Sequence, residues 1–221
     1  GKVVKNVAGY DIPKLFCGSF GTLGVIVEAT FKVLPRPEAQ TVLALTFASA
    51  QQAMDLTLHM LGSELQPFFL ELANFSPLAS SVMNQGYTLV IGFAGITEEV
   101  SYQCNRVREL LAKDGTIADE WRSGYEPLLQ TLQNFPTTEA ATLRCKMSVL
   151  PGVVSSMYRE VEAEAAARGL SVQLLAHAGN GVIFCRFTAA ENIPDEKMLS
   201  FVDWLRVLAK RLEGYVIIED I

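Results

Sequence analysis

Residues 41–62 read TVLALTFASAQQAMDLTLHMLG, and the hydrophobic period changes inside them. TVLALTF reads as a strand, while Ala50, Met54, Leu58 and Leu61 recur at helical spacing and form one stripe. Ser49 is a suitable cap for that helix and Gly62 a suitable stop. Strands follow at 67–74 (PFFLELAN) and 87–94 (YTLVIGFA). Thr97 with Glu98 and Glu99 then opens a second helix, striped by Val100, Cys104, Val107 and Leu111 and stopped by Gly115. TIADEW (116–121) is one more strand, which completes the order β-α-β-β-α-β over 41–121.

After a helical or irregular connection, SGYEPLLQTLQNFPTTEA, the same order returns over 142–221. TLRCKMSVL alternates as a strand, and Pro151 and Gly152 break it. Val154, Met157, Val161 and Ala165 stripe a helix, LSVQLLAH and VIFCRFT are strands, and Asn180-Gly181 between them suits a hairpin turn with positive φ at both residues. Asp195 to Glu213 is the last helix, with Phe201, Leu205, Leu208 and Leu212 inward, and Tyr215 to Ile218 the last strand. The fold class is therefore α+β, with two ferredoxin-like repeats of antiparallel sheet. Two separate sheets and one merged sheet with helices on one side both bury the four stripes, and periodicity does not choose between them.

The chain has 221 residues, 50% of them hydrophobic and 19% charged, enough apolar material for a sizeable core. A net charge of -6 argues against a nucleic-acid surface, which needs clustered Lys and Arg. A small anionic substrate needs only a local positive patch. Cys17, Cys104, Cys145 and Cys185 are far apart without a C-x-x-C pair, and read as reduced core residues of a cytoplasmic protein. Met54, Met60 and Met157 read as core. No apolar run reaches the roughly 18 residues of a membrane helix. The sequence opens without Met and ends on YVIIEDI, a strand with no closing turn, so it reads as a piece of something longer.

Glycines crowd the start. Asp11 and Ile12-Pro13 make a helix start and Gly18 a helix stop, so DIPKLFC reads as one or two turns, followed by SFGTLG and a strand, VIVEATFKVLP. Gly21 and Gly24 let backbone N–H groups and the Ser19 or Thr22 hydroxyls approach a phosphate-bearing ligand. Spacing alone favours turn punctuation, because neither of the standard phosphate-loop patterns is present.

The stretch KVVKNVAGYDIPKLFCGSFGTLGVI nevertheless closely resembles the second half of the FAD-binding domain in the FAD-linked oxidases related to vanillyl-alcohol oxidase and p-cresol methylhydroxylase (PCMH). Lys5, Asn6, Gly9-Tyr10-Asp11, Leu15-Phe16, Gly18-Ser19 and Gly21-Thr22-Leu23-Gly24 stand as in that family's signature. Within it the resemblance is to the FAD-binding subunits of bacterial glycolate oxidases. It implies that residues 1–38 are the end of a PCMH-type FAD-binding domain and 39–221 a cap or substrate domain. The cofactor implied is FAD, with Asn6, Gly9, Tyr10, Gly18, Ser19, Gly21, Thr22, Gly24, Val25 and Ile26 as one wall of its site. The family's pyrophosphate loop, which precedes this motif, has no counterpart here, so the chain alone is expected to retain FAD poorly.

Related 2-hydroxy-acid dehydrogenases carry H-x-G-D-G-N-x-H with both histidines as metal ligands. Here the matching stretch is HAGNGVIF: His177 stands, while Asn180, Val182 and Phe184 replace the aspartate, the asparagine and the second histidine. With only His59 and His177 in the chain, a histidine-rich metal site is not expected. His177 reads first as a strand-end residue satisfied by hydrogen bonds, and second as catalytic. Period-two alternation puts Arg144, Lys146 and Ser148 on one face of their strand, either as a solvent-facing side or as a cation pair for a carboxylate substrate. Glu71, Asp119 and Glu120 are linked by no spacing and receive no role.

The resemblance implies an FAD-binding subunit of a glycolate or other short 2-hydroxy-acid oxidase, in which the flavin accepts hydride from the substrate α-carbon. It also implies a companion flavoprotein subunit and an iron-sulfur subunit at the inner face of the bacterial membrane. A non-catalytic assembly or electron-relay subunit whose cap domain docks a catalytic partner is the alternative. A ferredoxin-like ligand-binding regulator would leave the motif at Gly9–Gly24 unexplained.

Overall fold

A computed structural model of the chain describes residues 10, 12–19, 21–31, 33, 35–77, 86–111, 116–137, 141–190 and 194–220. They fall into two compact units, Gly1–Arg36 and Pro37–Ile221. In the first, the only helix among the described residues is α1 (Ile12–Phe16), which Gly18 ends at φ 80°. Residues 25–31 form no strand, although their β-branched residues suggest one.

The second unit follows the expected order twice. Its first half runs β1 (Ala39–Phe47), α2 (Ala50–Leu61), β2 (Phe69–Ala73), β3 (Tyr87–Gly95), α3 (Thr97–Leu111) and β4 (Thr116–Trp121). A connecting helix, α4 (Glu126–Asn134), leads to β5 (Leu143–Ser148), a short 3-10 turn, α5 (Val154–Ala167), β6 (Leu170–His177), β7 (Val182–Ala189), α6 (Asp195–Arg211) and β8 (Tyr215–Asp220). All eight strands share one antiparallel sheet in the order β4-β1-β3-β2-β6-β7-β5-β8. Each half has the ferredoxin-like order, the second reversed, so the repeats meet edge to edge where β2 pairs with β6. Of the two packings left open above, the merged sheet is the one formed.

Helices α2, α3, α5 and α6 cover one face and bury a continuous apolar core that includes Leu43, Leu45, Leu72, Ile91, Val107, Met157, Val161, Phe187, Phe201 and Leu205. The expected stripes on α3 and α5 are buried, as are Met54, Met60 and Met157. On α2 the stripe is displaced: Ala50, Ala53, Met54, Thr57 and Met60 face the core, while Leu58 and Leu61 are exposed. Thr57 is tolerated there because its hydroxyl donates to Ala53 O at 2.9 Å. Cys104, Cys145 and Cys185 are buried thiols, but Cys17 is exposed because the short α1 buries nothing.

The opposite face is treated differently. Leu128 and Leu132 of α4, with the flanking Tyr125 and Phe135, pack on Val42, Ala73, Val90 and Leu175, and Phe184 borders the cluster. The amphipathic α4 thus buries the centre of that face, leaving the part built from β5, β7 and the end of β6 with polar side chains. No helix among the described residues is long and apolar enough to cross a membrane.

Candidate functional site

The site is set by cross-strand register on the face that carries α4. Lys146 on β5 stands opposite Phe184 on β7, and Val182 stands opposite His177 at the end of β6. His177 in turn lies opposite Glu71 on β2. Period two along each strand puts these five side chains on one face, and register brings them side by side.

His177 Nδ1 lies 2.7 and 2.8 Å from the two carboxylate oxygens of Glu71. The imidazole meets the Phe184 ring edge-on at 5.2 Å between centroids. Lys146 Nζ lies 5.6 Å from the centroid of the same ring, within cation–π range. Among the described residues Lys146 has no carboxylate partner in an ion pair. Arg144 does have one, since its Nη2 lies 2.7 Å from Asp220 Oδ2. The expected cation pair therefore divides: Arg144 is occupied at the sheet edge, and Lys146 faces the histidine.

Backbone holds this geometry. Ala178 N donates to Leu70 O at 2.8 Å and Asn74 N to Leu174 O at 3.2 Å, so the ladder is bonded on both sides of the Glu71–His177 pair. The turn after His177 is not the two-residue hairpin expected. Gly181 has positive φ (76°) and Asn180 does not; His177 O accepts from both their N–H groups, and Asn180 Oδ1 accepts from Val182 N. The loop is one helical turn closed by a left-handed glycine, so Asn180 acts through its side chain.

Exposure separates the partners: the His177 side chain is 41% exposed and that of Glu71 13%. Burial pushes the Glu71 carboxyl up, with the hydrogen bond and charge of His177 opposing. The hydrogen bond to Glu71 raises the His177 imidazole, with burial and the Lys146 charge opposing. With both carboxylate oxygens within hydrogen-bond distance of Nδ1, the pair favours an ionised Glu71 beside the imidazole.

Of the residues expected at a cofactor wall, Asn6 and Gly9 lie outside the described residues. Tyr10 is 95% exposed, and Val25 and Ile26 are exposed. Gly18 and Gly21 have positive φ, and a Cβ built on either meets nothing within 4 Å. Both glycines therefore face open space. Thr22 is less available than expected as a donor, because its N–H and hydroxyl both donate to Ser19 O, at 3.0 and 2.7 Å.

Residues 36–219 match the family described as FAD linked oxidases, C-terminal domain. The chain belongs to this family. It is 26% identical over 200 residues to glycolate oxidase subunit GlcD of Bacillus subtilis, covering 82% of this chain and 42% of that protein. It is 54% identical over 54 residues to glycolate oxidase subunit GlcE of Escherichia coli K12, covering 24% of this chain and 15% of that subunit. Among solved structures, alkyldihydroxyacetonephosphate synthase superposes with a TM-score of 0.65 at 16% identity, over 96% of this chain and 46% of that one. This FAD-linked oxidase domain thus spans less than half the length of these relatives.

Glu71 is the residue that sequence reasoning missed. In PFFLELAN it is the lone carboxylate of an otherwise apolar strand. That pattern signals a buried partner, but naming the partner requires the β2–β6 pairing that joins the repeats.

Proposed function

We propose that this domain belongs to an FAD-dependent oxidoreductase of short 2-hydroxy acids, and that the polar part of its sheet face receives the substrate. The observation that carries this reading is the convergence of Lys146 and His177 on Phe184. A 2-hydroxy acid offers a carboxylate, a hydroxyl next to it and a small apolar remainder. Lys146 supplies a cation for the carboxylate, the Phe184 ring an apolar floor, and the half-exposed imidazole a partner for the hydroxyl. Gly18, Gly21 and Gly24, with Val25 and Ile26, would line one side of the FAD, and the implied Asn6, Gly9, Tyr10, Ser19 and Thr22 belong to the same wall. FAD, when bound, supplies the hydride acceptor. Similarity to both GlcD and GlcE supports a subunit of a glycolate oxidase that passes electrons to a companion flavoprotein and an iron-sulfur subunit.

The test uses the whole flavoprotein that contains this chain. Glycolate and D-lactate are mixed with it anaerobically and bleaching of the flavin band is followed. Lys146→Met is expected to raise the substrate concentration for half-maximal reduction about tenfold or more, as expected for losing a charge-assisted contact. His177→Gln is expected to slow reduction itself. Wild-type flavin that neither acid reduces would overturn this function and put partner docking in its place.

A further inference from the structure

We propose that Glu71 is a positioning residue: it holds His177 with the proton on Nδ1, so that Nε2 is the proton-accepting atom on the open part of the sheet face. The inference deepens the function proposed above and rests on it for its chemical meaning, but its geometry stands on this chain's residues alone.

An ionised carboxylate only accepts hydrogen bonds, so the contacts at 2.7 and 2.8 Å require Nδ1 to carry the hydrogen. The opposite tautomer would put the Nδ1 lone pair against two oxygen lone pairs. With Nδ1 committed, the lone pair of the neutral ring lies on Nε2. Glu71 and His177 are cross-strand partners inside a ladder bonded on both sides, so the carboxylate reaches Nδ1 without a flexible loop. Burial removes competing water from Glu71 and leaves the ring half-exposed. The edge-on Phe184 ring limits rotation of the imidazole.

Charged groups facing the imidazole are Glu71 from β2 and Lys146 from β5, while β7 presents Phe184. They act in opposite senses. Glu71 stabilises the imidazolium formed when Nε2 takes a proton, and Lys146 keeps the ring from being protonated too early. In the proposed reaction the hydroxyl O–H bond breaks and its proton goes to Nε2. The oxygen's electron pair would form the carbonyl π bond, and FAD, when bound, would supply the acceptor for the hydride lost from the α C–H bond. The positive charge gained by His177 is met by the negative charge on Glu71, so the pair ends neutral.

The chain contains only His59 and His177, so nitrogen-15 histidine NMR reads both rings directly. In the wild type above its titration midpoint, His177 is expected as the Nδ1–H tautomer. Glu71→Ala is expected to shift it to the Nε2–H form common in free histidine. Glu71→Gln, which keeps the shape and loses the charge, is expected to lower the His177 midpoint by about one pH unit. Wild-type-like dispersion of the core methyl signals establishes that each variant is folded. In the flavin-loaded whole protein, Glu71→Gln should lower the maximal reduction rate and move its acidic limb to lower pH, with little change in half-saturation; Glu71→Asp should restore part of the rate. A wild-type Nε2–H tautomer, or a tautomer and midpoint that Glu71→Ala leaves unmoved, would overturn the inference. The tautomer requires no turnover: a wild type that reduces no flavin yet shows Nδ1–H would sink the proposed function and leave the positioning role standing.

Discussion

At the scale of the residue, the Glu71–His177 pair links the site to folding through protons. The His177 imidazole is raised in the folded protein, so its contribution is fully present below the ordinary histidine pKa and is lost as pH rises through the raised value. Stability of the wild type is therefore expected to fall between about pH 5 and pH 8 relative to a Glu71→Gln, His177→Gln double variant. Urea titrations of both proteins across that range check it; a difference that does not change with pH would show that neither group shifts on folding. Single residues were legible where chemistry is local. Alternation in TLRCKMSVL placed Lys146 and Arg144 on one face correctly. Their different fates were hidden, because Asp220, which engages Arg144, is 76 residues away.

Elements were more legible than their edges. The helices and strands of the second unit follow the changes of period, since each must bury one face and its sequence shows that face. The misplaced stripe on α2 has a physical cause: Leu58 and Leu61 satisfy the spacing as well as Thr57 and Met60 do, and the sheet and α5 against which the helix packs decide which row is buried. The β6–β7 turn misled for a related reason, as Asn180-Gly181 fits a tight hairpin but the backbone takes a longer loop. Gly181 is the fixed point of that loop. A Cβ there would lie 1.9 Å from Val149 O, and Gly181 O accepts from Val149 N at 3.0 Å. Gly181→Ala must both strain a left-handed backbone and push away the end of β5, so a loss of about 2 to 4 kcal/mol is expected by denaturant titration. Asn180→Ala removes one exposed hydrogen bond and should cost about 1 kcal/mol or less. Equal losses would mean that the loop relaxes around the new methyl group.

At the scale of the whole molecule, the merging of the two repeats into one sheet is what creates the site, because Glu71 comes from one repeat and His177, Lys146 and Phe184 from the other. The repeats themselves are visible in the sequence, but their junction is not, since a β2–β6 pairing leaves no periodic trace in either strand. The junction has its own polar reinforcement. Asn74 donates to Glu162 Oε1 at 2.9 Å and to Val172 O at 3.3 Å, and accepts from Leu174 N at 2.7 Å. Tyr87 donates to the other oxygen of Glu162 at 2.6 Å, and the fully buried Tyr158 donates to Leu72 O at 2.6 Å. Asn74→Ala leaves Leu174 N–H without its partner and should cost about 2 kcal/mol. How that loss appears separates two views of the molecule. The core beneath the helices runs without a break from Leu43 in the first repeat to Ala209 in the second, so both repeats should unfold together. The variant is then expected to show one urea transition at lower midpoint with an unchanged slope. Two separated transitions would mean that the polar junction, rather than the shared core, couples the repeats. The Glu71–His177 pair would then be lost at the first of those transitions.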